Sequence, residues 1–312
     1  MYQEERRILD TAYSFHEPFE ITILHQGENA TFLVEKDSSS FILRKYRLGR
    51  YNEAQIMAEI TWLEALGCYL NVPHPLKNQD QLYLTIFPTP TGTQYYALFN
   101  YIVGESVDSP SFQDYHNLGR TLALLHEKSD IILQTSTKDW IGYNRPRYDQ
   151  NIIEASLHCL LEAPFLDRKD KQQCQSLSDS LIEAYSKYML TDELHFLHGD
   201  AHSGNILRSN GLLHLLDFDE CGFGHRAFDM GVPRLHMISA GNVEQLWGSF
   251  MNGYQQKVTE DEIRTGTAMR IFYMAGKIPQ RLDIEHLRHQ PEQYIKKYLL
   301  YLKKELSGDT AI

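Results

Sequence analysis

Apolar and polar positions alternate in three short runs near the start of the chain, 19–24, 31–35 and 41–46. Polar clusters at Gln26-Gly27-Glu28-Asn29 and Asp37-Ser38-Ser39-Ser40 separate them. A period of two bounded by turn formers predicts an antiparallel meander. The period then changes. Ile56, Ile60 and Leu63 recur at helical spacing within 52–66, and Gly67 stands where a C-cap would. Two more strand-like runs follow, 81–87 and 95–103, with Pro88, Pro90 and Gly92 breaking the chain between them.

Beyond Gly104 the pattern is mostly helical. Leu118, Leu122 and Leu125 share a face within 112–127, and 151–161 and 173–189 also read as helices. Two short apolar runs, 194–197 and 212–216, flank a polar loop. The tail returns to helix, with Ile295, Leu299, Leu302 and Leu306 as its apolar stripe and lysines on the other faces. The expected fold class is α+β and bilobal. An N-terminal antiparallel sheet lobe with one helix spans 1–101, and a larger, mostly helical lobe spans 102–312.

Composition narrows the function. Thirty Lys and Arg stand against 41 Asp and Glu, a formal charge of −11, so no general electrostatic field favours nucleic acid. No apolar run approaches the ~20 residues a bilayer span needs, and the charged N-terminus has no export-signal character. Cys68, Cys159, Cys174 and Cys221 are scattered and form no CxxC pair. The expectation is a cytoplasmic protein with no nucleic-acid or membrane partner. Oligomeric state leaves no mark in the sequence.

The densest polar cluster runs from His198 to Asn205, after an apolar run. Twelve residues later a second apolar run ends in Asp217-Phe218-Asp219-Glu220. Two strands joined by a short hairpin would bring Asp200, Asn205 and Asp217 together. Carboxylate and amide oxygens are hard ligands that suit Mg²⁺, which takes the rest of its shell from water and substrate phosphates. A remaining carboxylate can orient a hydroxyl nucleophile. Taken singly, His198 or His202 reads as a turn former; five polar residues between two apolar strands are not explained by turn chemistry.

His198-Gly199-Asp200-x-x-x-x-Asn205 followed by Asp217-Phe218-Asp219 resembles the signature of the aminoglycoside phosphotransferase and choline kinase family, which shares the protein-kinase-like fold. Gly199 replaces the Arg usual in the protein-kinase catalytic loop, and Asp219 replaces the Gly of its metal-binding triplet. Further likeness lies in Gly119 to His126, in the hinge-like Tyr101 to Glu105, and in Asp229-Met230-Gly231. The resemblance covers about residues 20 to 280. It implies a kinase that uses ATP or GTP with Mg²⁺ and acts on a small-molecule hydroxyl: an aminoglycoside, amino alcohol, amino acid or sugar.

The resemblance also implies roles. Asp200 orients the acceptor hydroxyl and His198 braces the loop. Asn205 and Asp217 hold the metal, and Asp219 joins through water. On the third strand a basic residue anchors the phosphates and pairs with a helix glutamate. Alternation puts Ile42 and Arg44 on the site face, with Glu59 as partner; a register one residue off would put Lys45 there. Gly27 sits where a phosphate-covering loop would lie, although one glycine is also an ordinary hairpin turn. Backbone groups from Asn100 to Ile102 are placed to bind the base. Arg234 and His236 read as helix packing or as an acceptor wall. The alternatives are a protein Ser/Thr kinase of the bacterial stress-response type and a metal-dependent hydrolase built on His198, Asp200, His202 and Asp217. Against the former, no activation segment is recognisable after Asp217.

Overall fold

The computed structural model describes residues 2–135, 144–191 and 193–308. The chain forms two compact units. The first draws its described residues from Met1–Ser106, Ile131–Arg145 and Leu207–Leu216; the second draws them from Val107–Asp130, Pro146–Ile206 and Asp217–Ile312.

The first unit opens with helix α1 (Gln3–Tyr13), which charge alone had disguised. Strands β1 (Glu20–Gln26), β2 (Ala30–Lys36) and β3 (Ser39–Lys45) follow, then helix α2 (Glu53–Leu66) and strands β4 (Pro75–Leu76), β5 (Thr85–Thr89) and β6 (Gly92–Asn100). They form one antiparallel sheet in the order β1-β2-β3-β6-β4, with β5 also on β6. Pro88 does not break β5 as the sequence suggests. It lies opposite Thr93 in a strand that pairs only with β6, where a missing donor is tolerated. Ile8 and Leu9 of α1 join Ile21, Phe32, Val34, Leu43, Tyr96 and Leu98 in one apolar cluster. Asn52 and Gln55 form a capping box on α2, and the Gly67 N–H bonds Leu63 at 3.0 Å in right-handed rather than left-handed geometry.

Strand β3 is paired on both sides. Arg44 lies opposite Thr31 on β2 and Ala97 on β6. A register slip would break two ladders at once. Residues 207–209 and 212–215 complete the unit with a second small sheet. In it β7 (Glu105–Ser106) pairs with β10 (Ile206–Ser209), and β10 neighbours β11 (Leu212–Leu215).

The second unit contains α3 (Phe112–Thr135) up to residue 130, β8 (Arg147–Tyr148), α4 (Gln150–Glu162), α5 (Arg168–Tyr188) and β9 (His195–Leu197). After Asp217 come β12 (Gly222–Gly224), α6 (Arg226–Ala240), α7 (Val243–Tyr254), α8 (Glu260–Lys277), α9 (Glu285–His289) and α10 (Pro291–Ser307). Helix α5 starts earlier than its apolar pattern, because the Asp167 carboxylate caps the Asp170 N–H at 2.8 Å. The core gathers residues of α4, α5, α6, α8 and α10, including Leu160, Leu181, Phe228, Phe272, Ile295 and Leu302. The tyrosine ring of β8, Tyr148, stacks on Phe228 of α6 at 4.1 Å.

Candidate active site

The polar loop after β9 is held from below by a buried carboxylate. Asp229, in the first turn of α6, is fully buried. It accepts the His198 N–H at 2.9 Å, the Gly199 N–H at 2.7 Å and His126 Nε2 at 3.0 Å. Burial pushes this carboxyl up, yet the His126 hydrogen bond and the neighbouring imidazoles outweigh it and hold the group below its ordinary pKa. Burial lowers the pKa of His126. A carboxylate only accepts, so His126 Nε2–H donates to Asp229, and Nδ1 lies 2.7 Å from the Tyr254 hydroxyl.

The loop backbone follows from these bonds. Gly199 has φ +82°, and a Cβ there would drive into the Glu220 carbonyl and lie 2.8 Å from the Tyr148 hydroxyl. Only glycine meets both demands. His198 is fully buried, and its Nδ1 accepts the Asp200 N–H at 3.2 Å. His202 caps the 3-10 turn Ser203–Asn205, accepting the Gly204 N–H at 3.0 Å.

Asp200 and Asn205 are brought together. Asn205 Nδ2 donates to the Asp200 carbonyl at 2.9 Å and to its Oδ2 at 3.0 Å. His202 Nε2 lies 3.5 Å from the same Oδ2. The other oxygen, Oδ1, receives Arg270 Nη2, while Arg270 Nη1 donates to the Gly199 carbonyl at 2.8 Å. Burial alone would push the Asp200 carboxyl up. The Arg270 guanidinium and His202 outweigh it and hold it well below the usual carboxylate range.

Asp217 follows β11 and adopts a left-handed backbone, φ 56° and ψ 72°, as it opens the 3-10 turn Phe218–Glu220. A non-glycine residue there costs about 1–3 kcal/mol, the kind of strain that clusters at functional sites. Asp219 is buried within the turn.

The donor set fits magnesium. The Asn205 amide nitrogen is spent on Asp200, so its oxygen is the atom that would be left to ligate, and Asp217 would add a carboxylate. Mg²⁺ usually takes one or two carboxylates and completes its shell with water and phosphate. Among the described residues no three His, Cys, Asp or Glu side chains form a metal-holding group.

In the first unit, Arg44 Nη1 bonds Glu59 Oε1 at 2.7 Å; Arg44 is 9% exposed and Glu59 not at all. Lys45, on the opposite face of β3, bonds Glu4 at 2.7 Å and Glu5 at 3.2 Å from α1. Gly27 lies in the β1–β2 turn and donates to the Asn29 carbonyl at 3.0 Å. The Asn100 N–H donates to the His74 carbonyl at 3.0 Å, so that donor is spent; Ile102 lies beyond the end of β6.

Arg234 and His236 part company. They are two residues apart on α6, about 200° around the helix. His236 stacks on His202 at 4.1 Å. Arg234 turns instead to a separate cavity lined also by Trp247, Tyr301 and Glu305, with its guanidinium 5.1 Å from the Trp247 ring centre.

Sequence reasoning did not single out Arg270 as a site residue, nor the bracing role of Asp229. Each is a lone charge inside an apolar stretch, Ala268-Met269-Arg270-Ile271-Phe272 and Phe228-Asp229-Met230. Charges buried in such stretches need partners, and that was the available signal.

Residues 20–262 match the phosphotransferase enzyme family. The chain belongs to that family. This phosphotransferase is 22% identical over its whole length to the amicoumacin kinase of Bacillus subtilis, covering 94% of that protein. It is 26% identical to the stress response kinase A of Salmonella paratyphi A over 84% of this chain and 77% of that one. A Synechocystis relative of uncharacterised role is 28% identical, and the match takes in 78% of this chain and 66% of that protein's length. Among solved structures, a microcompartment-associated aminopropanol kinase superposes with a TM-score of 0.82 at 21% identity, covering 98% of each chain. An amicoumacin kinase in complex with AMP-PNP, Ca²⁺ and Ami gives 0.77 at 18% identity, covering 99% of this chain and 97% of that one. These likenesses show the protein-kinase-like phosphotransferase fold. Membership of a phosphotransferase family replaces the hydrolase alternative. Consistently, His198 and His202 spend Nδ1 on loop N–H groups. No helix of the described residues is long and apolar enough to cross a membrane.

Proposed function

We propose that this phosphotransferase moves the γ-phosphoryl group of ATP or GTP to a hydroxyl of a small molecule, with Mg²⁺. The observation that carries the reading is the Asp200 carboxylate. It is held ionised by Arg270, tied to Asn205 and fixed in a loop that Asp229 braces. A carboxylate oxygen has lone pairs to spare beyond these partners, so Asp200 accepts a hydrogen bond from the acceptor hydroxyl and aims its oxygen at phosphorus. Because its proton affinity is low, orientation is its main contribution; the new P–O bond forms as the β–γ bond breaks and the nucleoside diphosphate leaves, and the hydroxyl proton departs late, by way of Asp200 to solvent. Asn205 and Asp217 would hold the magnesium, which would neutralise phosphate charge, and Asp219 would act through water. Arg44, set by Glu59, serves the nucleotide phosphates. Gly27 lies in the turn covering them, and the backbone near Asn100 and Ile102 receives the base. His198 holds the loop from within.

The test is a nucleotide-consumption screen over hydroxylated amines, amino acids, sugars and antibiotics. Asp200→Asn is expected to lose on the order of 10² to 10⁴ in rate while keeping its affinity for Mg-nucleotide. Transfer at the wild-type rate by Asp200→Asn would overturn the assignment. A 26% likeness to a Salmonella typhimurium protein named as a serine/threonine protein kinase favours a second reading, a protein Ser/Thr kinase. Labelled phosphate appearing in a peptide library and in none of the metabolites would establish it.

A further inference from the structure

Helix α8 turns one stripe toward both loops of the candidate site. Arg270, Tyr273 and Lys277 stand at i, i+3 and i+7, on a single helix face. Arg270 is 4% exposed and holds the Gly199 carbonyl and the Asp200 carboxylate. The Tyr273 hydroxyl donates to Glu220 Oε2 at 2.7 Å, and Lys277 Nζ donates to Glu220 Oε1 at 2.8 Å. From β8, the Tyr148 hydroxyl donates to the Glu220 backbone carbonyl. Glu220 ends the 3-10 turn that Asp217 opens, three residues away. The same carbonyl lies against Gly199, so the two loops touch.

Stability alone does not account for these charges. A buried ion pair is often no better than well-packed apolar side chains of similar volume, and α8 has apolar neighbours in plenty. What an apolar stripe lacks is the means to fix the position of individual oxygens.

We propose that the Arg270–Tyr273–Lys277 stripe is a positioning rack that registers the two loops against each other. Arg270 sets the Asp200 carboxylate, and Tyr273 and Lys277, through Glu220, set the turn that presents Asp217. This inference rests on the function proposed above. The three are positioning residues, acting through Asp200 and Asp217.

The experiment reads catalysis and binding separately. Steady-state rates are measured with the best acceptor from the screen, or as MgATP hydrolysis with water as acceptor where none turns over. Calorimetry gives the Kd of Mg-AMP-PNP. Arg270→Gln is expected to lower kcat about 10- to 100-fold, the usual range for lost outer-shell partners, with Kd changed less than about threefold. Arg270→Lys restores the charge and recovers part of the loss. The double variant Tyr273→Phe/Lys277→Gln raises the Mg²⁺ concentration for half-maximal rate about 10-fold.

Wild-type kcat in folded Arg270→Gln overturns the inference. So does a parallel loss of kcat and nucleotide affinity that Arg270→Lys does not relieve, or an unchanged Mg²⁺ requirement in the double variant. Should Arg270→Gln not fold, Arg270→Lys and the double variant decide. If the wild type shows no turnover, or Asp200→Asn matches it, the proposed function fails rather than the rack.

Discussion

Replacing Asp229 by asparagine tests the bracing of the catalytic-type loop most directly. The native carboxylate receives three hydrogen bonds, at 2.7, 2.9 and 3.0 Å, in a fully buried setting. An amide offers one acceptor oxygen, and its NH₂ group confronts at least one of the three donors. A lost hydrogen bond to a charged group costs about 1.5–3 kcal/mol. The surviving bonds lose their charge assistance, roughly half their strength. The sum is about 3–5 kcal/mol, a large share of the ~5–15 kcal/mol typical of a domain. In a unit of this size each kcal/mol moves Tm by about 2–4 °C, so a fall on the order of 10 °C is expected in calorimetry. Phosphoryl transfer should fall with it, because the Asp200 backbone is pinned through His198. A loss below ~1 kcal/mol would refute the reasoning, showing that the three donors find other partners. Acid titration gives a second check. The Asp229 pKa is depressed in the folded chain, so its contribution is present above the ordinary carboxylate range and is lost as pH falls through the folded value.

The other predictions are briefer. Glu59→Gln removes the opposite charge from the nearly buried Arg44–Glu59 pair and should cost about 3–5 kcal/mol, with a raised KM for nucleotide; Lys45→Ala, next in sequence but part-exposed against α1, should cost about 1 kcal/mol or less, and equal losses in urea melts would contradict the two-face assignment. Gly199→Ala forces a side chain into the Glu220 carbonyl at positive φ and should abolish turnover while destabilising the chain by a few kcal/mol, about the scale of a forced core overlap; a crystal structure with an undisturbed loop would rule that out. Asp200 is held ionised by Arg270, so the pair's stabilisation is full above the ordinary carboxylate pKa and is lost progressively as pH falls from there through the depressed value; Arg270→Lys melts compared across acid pH should show this, and a loss already complete within the ordinary carboxylate range would contradict it.

Much of the candidate site was legible because it is local. Asn205 reaches Asp200 across five residues, through one 3-10 turn, so spacing alone foretold the contact. The face of β3 that carries Arg44 followed from alternation, and two ladders enforce it. Other features had no local signature. Helix α1 hides Ile8 and Leu9 among charges, and its burial is known only once the sheet offers an apolar face. Strand β10 reads as part of a polar loop: it neighbours β11 close by, but its other partner, Glu105–Ser106, lies about 100 residues earlier.

The sequence by itself determined the β1–β3 meander, helices α2 and α10, the Asp-to-Asn spacing, the carboxylate at the end of an apolar strand, and the family resemblance. These depend on periodicity and on contacts a few residues apart, which a chain specifies wherever it folds. Tertiary structure alone decided that Arg270 meets Asp200 across 70 residues, that Asp229 carries the loop, and that Arg234 and His236 face different surroundings. A buried charge names no partner in advance. Its energy depends on which opposite charge the packed helices bring within hydrogen-bond reach, and that is a property of the assembled unit.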